Sequence, residues 1–294
     1  MSYPNQITTK EIAWNGISFC VPSSWEIAQI GARHLILEDD ADPVMEVKWG
    51  FIKGRFSHRA HLKRLSAFQT RQLKKTVQEW VLPTKWEKAL AGFQATGFSW
   101  QAETKSGRGV ILYCSMCHNA TLIQFFQSKS SVAVKTPLEV LSTFQDHRED
   151  GQTLWAVFDI RAVVPAYFKM VDYRFEPGNY ELAFEHRGQK IFLYRWAPAS
   201  ILLGERDLKQ FAEAISDFSA GDPVPVNMDG GQAIELSSSP RFKWLNRFKP
   251  KPCFHWLGLW HLEKKNRILG VKMQGKRPFD THMLDRVCVG YESL

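Results

Sequence analysis

One pattern occurs twice in this chain. Val21-Pro22 followed by Trp25 returns as Val164-Pro165 followed by Phe168, and Met45-Glu46-Val47-Lys48-Trp49 returns as Phe192-Leu193-Tyr194-Arg195-Trp196 at nearly the same offset. Such a self-match constrains architecture more than any local signal, because each copy must fold as the same unit. The reading is two tandem domains, residues 1–150 and 151–294. The length of 294 residues agrees, since about 100–200 residues make one domain with its own core. The composition, 44% hydrophobic and 23% charged, is that of an ordinary globular protein, so neither copy should need staples.

Within the first copy, Ile17 to Val21, Leu35 to Glu38 and Val44 to Trp49 read as strands, with Asp39 to Pro43 as a hairpin loop. Ser57 can cap a helix running to Lys75, in which Leu62, Leu65 and Phe68 share a stripe. Gly92 to Thr96, Gly109 to Cys117 and Thr121 to Gln127 form a second set of strands, the last two turning at His118-Asn119. Thr136-Pro137 starts a closing helix that buries Leu138, Leu141 and Phe144. The second copy repeats the order. Tyr180 to Glu185 pairs with Lys190 to Trp196, and Leu208, Phe211, Ala212, Ile215 and Phe218 trace a helical stripe. His255 to His261 pairs with Arg267 to Met273 across Lys264-Lys265-Asn266, and a last helix spans about Asp280 to Val287. Strand runs broken by helices, without strict alternation, indicate an α+β class.

The segments Phe19-Cys20-Val21-Pro22-Ser23-Ser24-Trp25, Gly92-Phe93-Gln94-Ala95 and Thr136-Pro137-Leu138, with their counterparts in the second half, resemble the Mog1/PsbP-like fold. That resemblance implies two tandem α/β/α sandwich domains, each with a mainly antiparallel central sheet flanked by helices. It also implies noncatalytic binding modules, and it transfers no catalytic residue onto this chain. Arg241 to Pro252 departs from the pattern as a basic, proline-containing insertion.

The sharpest chemical motif is Cys114-Ser115-Met116-Cys117-His118, which has the spacing of a covalent haem site. On a strand, however, the two thiols would point to opposite faces, and such attachment normally follows export. The reading is therefore small buried thiols and a turn histidine. Cys114, Cys117 and His118 stay as metal candidates, with zinc on Cys114, Cys117, Cys253 and His255 as one further option that lacks a standard finger spacing. No cofactor is expected. Five cysteines, a polar Met1 to Lys10 and no apolar run near the length of a membrane span suggest reduced thiols in a cytoplasmic protein.

Charge points to partners. The formal net charge is +8 and the pI about 9.2, which favours anionic partners. Arg241, Lys243, Trp244, Arg247, Phe248, Lys249 and Lys251 interleave cations with rings, as single-strand binders do. Arg59, Lys63 and Arg64 form a second basic face on the Ser57 helix. Each could also be a solvated surface. Glu38, Asp39, Asp40 and Asp42 read as a turn, and Trp49 and Trp196 as matching packing anchors. The chain has no phosphate-binding Gly-Lys-Ser/Thr loop, His-Glu-x-x-His helix, nucleophile elbow or dinucleotide glycine fingerprint. The expectation is a noncatalytic, macromolecule-binding adaptor whose partner is another protein. The alternative is a nucleic-acid-associated protein using the two basic segments.

Overall fold

The computed structural model describes residues 8–63, 76–103, 105–127, 136–218, 224–228, 231–240 and 252–294. It divides into two units. The first holds residues up to Glu149 together with Leu154–Phe158, and the second holds Asp150–Thr153 with Asp159–Leu294.

The first unit opens with a hairpin of β1 (Thr9–Trp14) and β2 (Ile17–Pro22), and β1 also pairs antiparallel with β10 (Gln152–Val157) at Ala13 and Ala156. Its main sheet contains β3 (Glu26–Gly31), β4 (His34–Asp39), β5 (Asp42–Phe51), β6 (Thr76–Trp80), β7 (Gln94–Gln101), β8 (Ser106–Tyr113) and β9 (Asn119–Gln127). The strand order is β3-β4-β5-β9-β8-β7-β6 and every pairing is antiparallel. Among the described residues, α1 covers 58–63, with the rest of the helix expected to Lys75 lying outside them, α2 spans Thr84–Ala89 and α3 spans Thr136–Ser142.

In the second unit, β11 (Ile160–Pro165) pairs with β19 (Glu292–Ser293). The main sheet contains β12 (Lys169–Glu176), β13 (Asn179–His186), β14 (Gln189–Trp196), β15 (Val224–Met228), β16 (Gly231–Ser238), β17 (Phe254–Leu262) and β18 (Arg267–Gly275). Its order, β12-β13-β14-β18-β17-β16-β15, repeats that of the first unit strand for strand. The helices are α4 (Ala199–Leu203), α5 (Leu208–Ile215) and α6 (Thr281–Val289). Asp207 caps α5 by accepting from the Gln210 amide, and Asp280 caps α6 through the His282 and Met283 amides, so both ends satisfy otherwise orphaned donors.

This corrects the expected helix-flanked α/β/α sandwich. The protein is β-rich, and among the described residues the longest helix, α6, has nine residues. The expectation failed where strands lack a clean apolar alternation. The edge strands β3 and β12 are half-exposed or exposed along their length and each is interrupted by a bulge, which breaks the period-2 signal.

The repeat extends to irregularities, and these reset its register. Both edge strands carry a bulge, between Ile27 and Gln29 in β3 and between Met170 and Asp172 in β12. Aligning the bulges equates Leu37 with Phe184; these pair with Met45 and Ile191 respectively. Trp49 therefore corresponds to Arg195, one residue before Trp196. A one-residue slip moves a side chain to the other face of a sheet. Trp49 donates through Nε1 to the Asn15 carbonyl at 3.1 Å, whereas Trp196 packs edge-on against Phe211 of α5. The two tryptophans are not equivalent anchors.

Glu46 is the notable buried charge of the first sheet. His34 Nε2 lies 2.7 Å and Lys48 Nζ 2.6 Å from its Oε1, and Gln124 donates to its Oε2. Burial alone would raise this carboxyl, but the Lys48 hydrogen bond and charge, with Gln124 and His34, outweigh burial and hold it below its ordinary value of 4.5. A depressed native value stabilises the fold above the ordinary value, and that contribution is lost as pH falls through the native one. Acid titration of unfolding below about pH 4.5 is expected to lose this contribution in the parent chain and to be flatter in Glu46→Gln.

Candidate functional site

The Cys114 to His118 run leaves the strand before its second cysteine. Strand β8 ends at Tyr113, and residues 115–117 form a turn. The turn is closed by the Cys114 amide donating to the Asn119 carbonyl and the His118 amide donating to the Cys114 carbonyl, both at 3.0 Å. His118 completes it with a φ of 57°, a left-handed conformation that allows the chain to reverse. The expectation of thiols on opposite faces is thereby overturned: a tight turn, unlike a strand, brings positions i and i+3 together.

Two residues from the segment after α3 join them. The Ser18 and Gln145 backbones bond reciprocally at 2.9 and 2.8 Å, and Thr143 Oγ1 accepts from the Cys20 amide at 2.8 Å. These bonds fasten the segment to β2 and carry Asp146 and His147 to the turn. Cys114 Sγ, Cys117 Sγ, an Asp146 carboxylate oxygen and a His147 ring nitrogen all lie within 4.8 Å of one another. The Cys117 thiol donates to Asp146 Oδ2 at 3.0 Å, His147 Nδ1 lies 2.7 Å from Asp146 Oδ1, and Cys114 Sγ is 3.8 Å from the same Nδ1. Cys114 and Asp146 are buried, while Cys117 and His147 are half-buried.

Burial, and next the hydrogen bond to Asp146, push the Cys117 thiol up. With its proton in place it serves as a donor to the carboxylate, and a protonated thiol is a poor nucleophile. The group can therefore do one of two things: stand as a closed polar cluster, or exchange its protons for a cation. His118, which the sequence spacing favoured, lies elsewhere. Its Nδ1 meets the Tyr113 hydroxyl at 2.9 Å and its ring stands edge-on to Phe51. Asp146 and His147 read in the sequence as part of a charged terminus; an adjacent Asp-His pair after a helix was the available signal.

The other candidates divide. Cys253 and His255 belong to the second unit, where Cys253 Sγ donates to the Lys276 carbonyl at 3.9 Å and Phe218 stacks on His255 at 5.0 Å. Arg59 and Lys63 are exposed on α1. Arg64, Arg241, Lys243, Trp244, Arg247, Phe248, Lys249 and Lys251 lie outside the described residues. Asp40 and Ala41, with φ of 52° and 64°, form the tight turn between β4 and β5, which accounts for the acidic cluster as a hairpin.

No family model matches this chain, and no curated protein does. Solved structures with some likeness include one from Bacteroides thetaiotaomicron, at 14% identity over 53% of each chain with a TM-score of 0.30. They also include the immunity protein TplEi of T6SS from Pseudomonas aeruginosa, at 9% identity over 92% of this chain and 97% of that one, with a TM-score of 0.34. The same protein complexed with "L" peptide gives 9%, 92%, 98% and 0.32. At such TM-scores the likenesses carry no argument. Among the described residues, no helix is long and apolar enough to cross a membrane.

Proposed function

We propose that the chain is a noncatalytic binding protein of the cytoplasm whose partner is another protein, taken at the β8–β9 end of the first unit. The observation that carries this reading is the exposure of Phe51 at 53% and of Met116 at 70%. Both sit at the turn that the Cys114 region builds. From Phe51, ring contacts run through His118 and Tyr113 to Phe56, which stacks on Tyr113 at 4.4 Å and meets His58 and His61. Exposed Arg59 and Lys63 continue this surface along α1. Aromatic residues and Met are enriched in protein interfaces, and cations at a rim steer an acidic partner. Five free cysteines fit a reducing compartment.

The test is co-purification of the tagged chain from its native extract after nuclease, beside Phe51→Ala/Met116→Ala. A stoichiometric protein is expected that the double variant binds at least about 30-fold more weakly, the loss of one hot spot of about 2 kcal/mol. If nucleic acid is retained, or proteins vanish with nuclease, the reading yields to the alternative on Arg241 to Lys251. Equal retention by both chains would remove this surface.

A further inference from the structure

We propose that Cys114, Cys117, Asp146 and His147 form a Zn²⁺ site that fastens the β8–β9 turn to the segment after α3. Four side chains converge there, each with one ligand atom within 4.8 Å of the other three, drawn from two segments separated by 29 to 33 residues. Tetrahedral Zn²⁺ binds sulfur at about 2.3 Å and nitrogen or oxygen at about 2.0–2.2 Å, which sets donors about 3.3–3.8 Å apart. The observed separations of 2.7, 3.0 and 3.8 Å, with every pair of ligand atoms within 4.8 Å, lie around that range, so loading calls for adjustment of side chains already gathered at one place.

The donor set selects the ion. Two sulfurs and an imidazole are poor ligands for Ca²⁺ or Mg²⁺, which demand oxygen. A mixture of two thiolates, one imidazole and one carboxylate is a donor set that suits tetrahedral Zn²⁺. Four protein donors close the coordination sphere, which makes the site structural, without the open position that a catalytic zinc keeps. On loading, the cysteine protons pass to solvent, and the Cys117–Asp146 and His147–Asp146 hydrogen bonds give way to metal bonds.

The turn explains why the sequence spacing works without its histidine. Cys-x-x-Cys at a hairpin end supplies half a site, and the partner half arrives through the Ser18–Gln145 bridge, not through His118 at the next position. The half-exposed ring of His147 leaves one side from which the ion can enter.

The full chain, reduced and stripped with a chelator, should be titrated with Zn²⁺ alone and separately with Co²⁺. One equivalent is expected to bind. The cobalt form is expected to show the intense visible bands of tetrahedral coordination and a sulfur-to-cobalt charge-transfer band. Cys117→Ser and His147→Ala should each weaken Zn²⁺ by more than about 100-fold, because even supporting groups of such sites contribute 10–100-fold. His118→Ala should leave affinity and spectrum unchanged. His147 is half-exposed, so its variant keeps the test sound if a cysteine variant misfolds. Absence of the cobalt bands, or equal Zn²⁺ affinity in parent and His147→Ala, would overturn the site in favour of a hydrogen-bonded cluster.

Discussion

Asp159→Ala is expected to destabilise the second unit by about 3–5 kcal/mol, the usual cost of removing one partner from a buried ionic group. Asp159 Oδ2 receives Arg195 through both Nε and Nη2, and Arg267 Nη2 lies 2.9 Å from the same oxygen. The side chains of Asp159, Arg195 and Arg267 are only 18%, 11% and 23% exposed. Arg195 is also pinned over the Tyr180 ring at 4.4 Å, so it cannot swing to water once its counter-ion is gone. The C-terminal segment shares the node: the Leu294 amide and the Ser293 hydroxyl both donate to the Asp159 carbonyl, at 2.8 and 3.1 Å. In the first unit the corresponding tie is neutral, with Trp49 donating to the Asn15 carbonyl. Trp49→Phe should cost about 1 kcal/mol for its hydrogen bond, with a further cavity cost because the indole is buried. Because two units need not unfold together, the readout is amide exchange in β14 and β18. A change below about 1 kcal/mol there would mean that water screens the group as at a surface pair.

That contrast bears on what could be read from the chain alone. The duplication was legible because Val-Pro and its following aromatic close β2 and β11 alike, where local turn chemistry and strand pattern agree. Its register was not. Matching Trp49 to Trp196 is the natural choice by residue type, yet the register of β5 against β4 shifts between Leu37 and Glu38, and one irregular residue there reverses which side chain faces the core. Trp and Arg then fill one structural position by different chemistry, which no residue-type match detects. The candidate site failed in the opposite direction. Cys114 and Cys117 were legible as a pair, but strand logic was carried past Tyr113, and Asp146 and His147 depend on a long-range bridge at Gln145 that leaves no local trace. Apolar stripes such as Leu208, Phe211 and Ala212 mark real but short helices, whereas bulged edge strands such as β12 leave only a broken stripe.

Gly109→Val is expected to cost the first unit about 3 kcal/mol, at the upper end of overpacking in a tight core. Gly109 pairs with Phe98 across β7 and β8, as Gly107 pairs with Trp100. A Cβ at position 109 would lie 2.6 Å from Phe98 Cζ and 2.3 Å from the Ile123 carbonyl oxygen. Phe98 is fully buried and packs with Trp100 and Ile111 in one cluster, so its ring has nowhere to retreat. The missing side chain thus makes the space in which the aromatic ring lies across its neighbouring strand. Pairing Gly109→Ala with Phe98→Leu separates the two obstacles, because neighbouring changes couple while distant ones add. The smaller side chain removes the ring contact but leaves the carbonyl, a backbone atom held in the β8–β9 ladder. Gly109→Ala should accordingly be milder in the Phe98→Leu background than alone, yet still destabilising, when both are measured by urea unfolding. Full relief by Phe98→Leu would show that the ring alone excludes a side chain there, and no coupling would show that the backbone does.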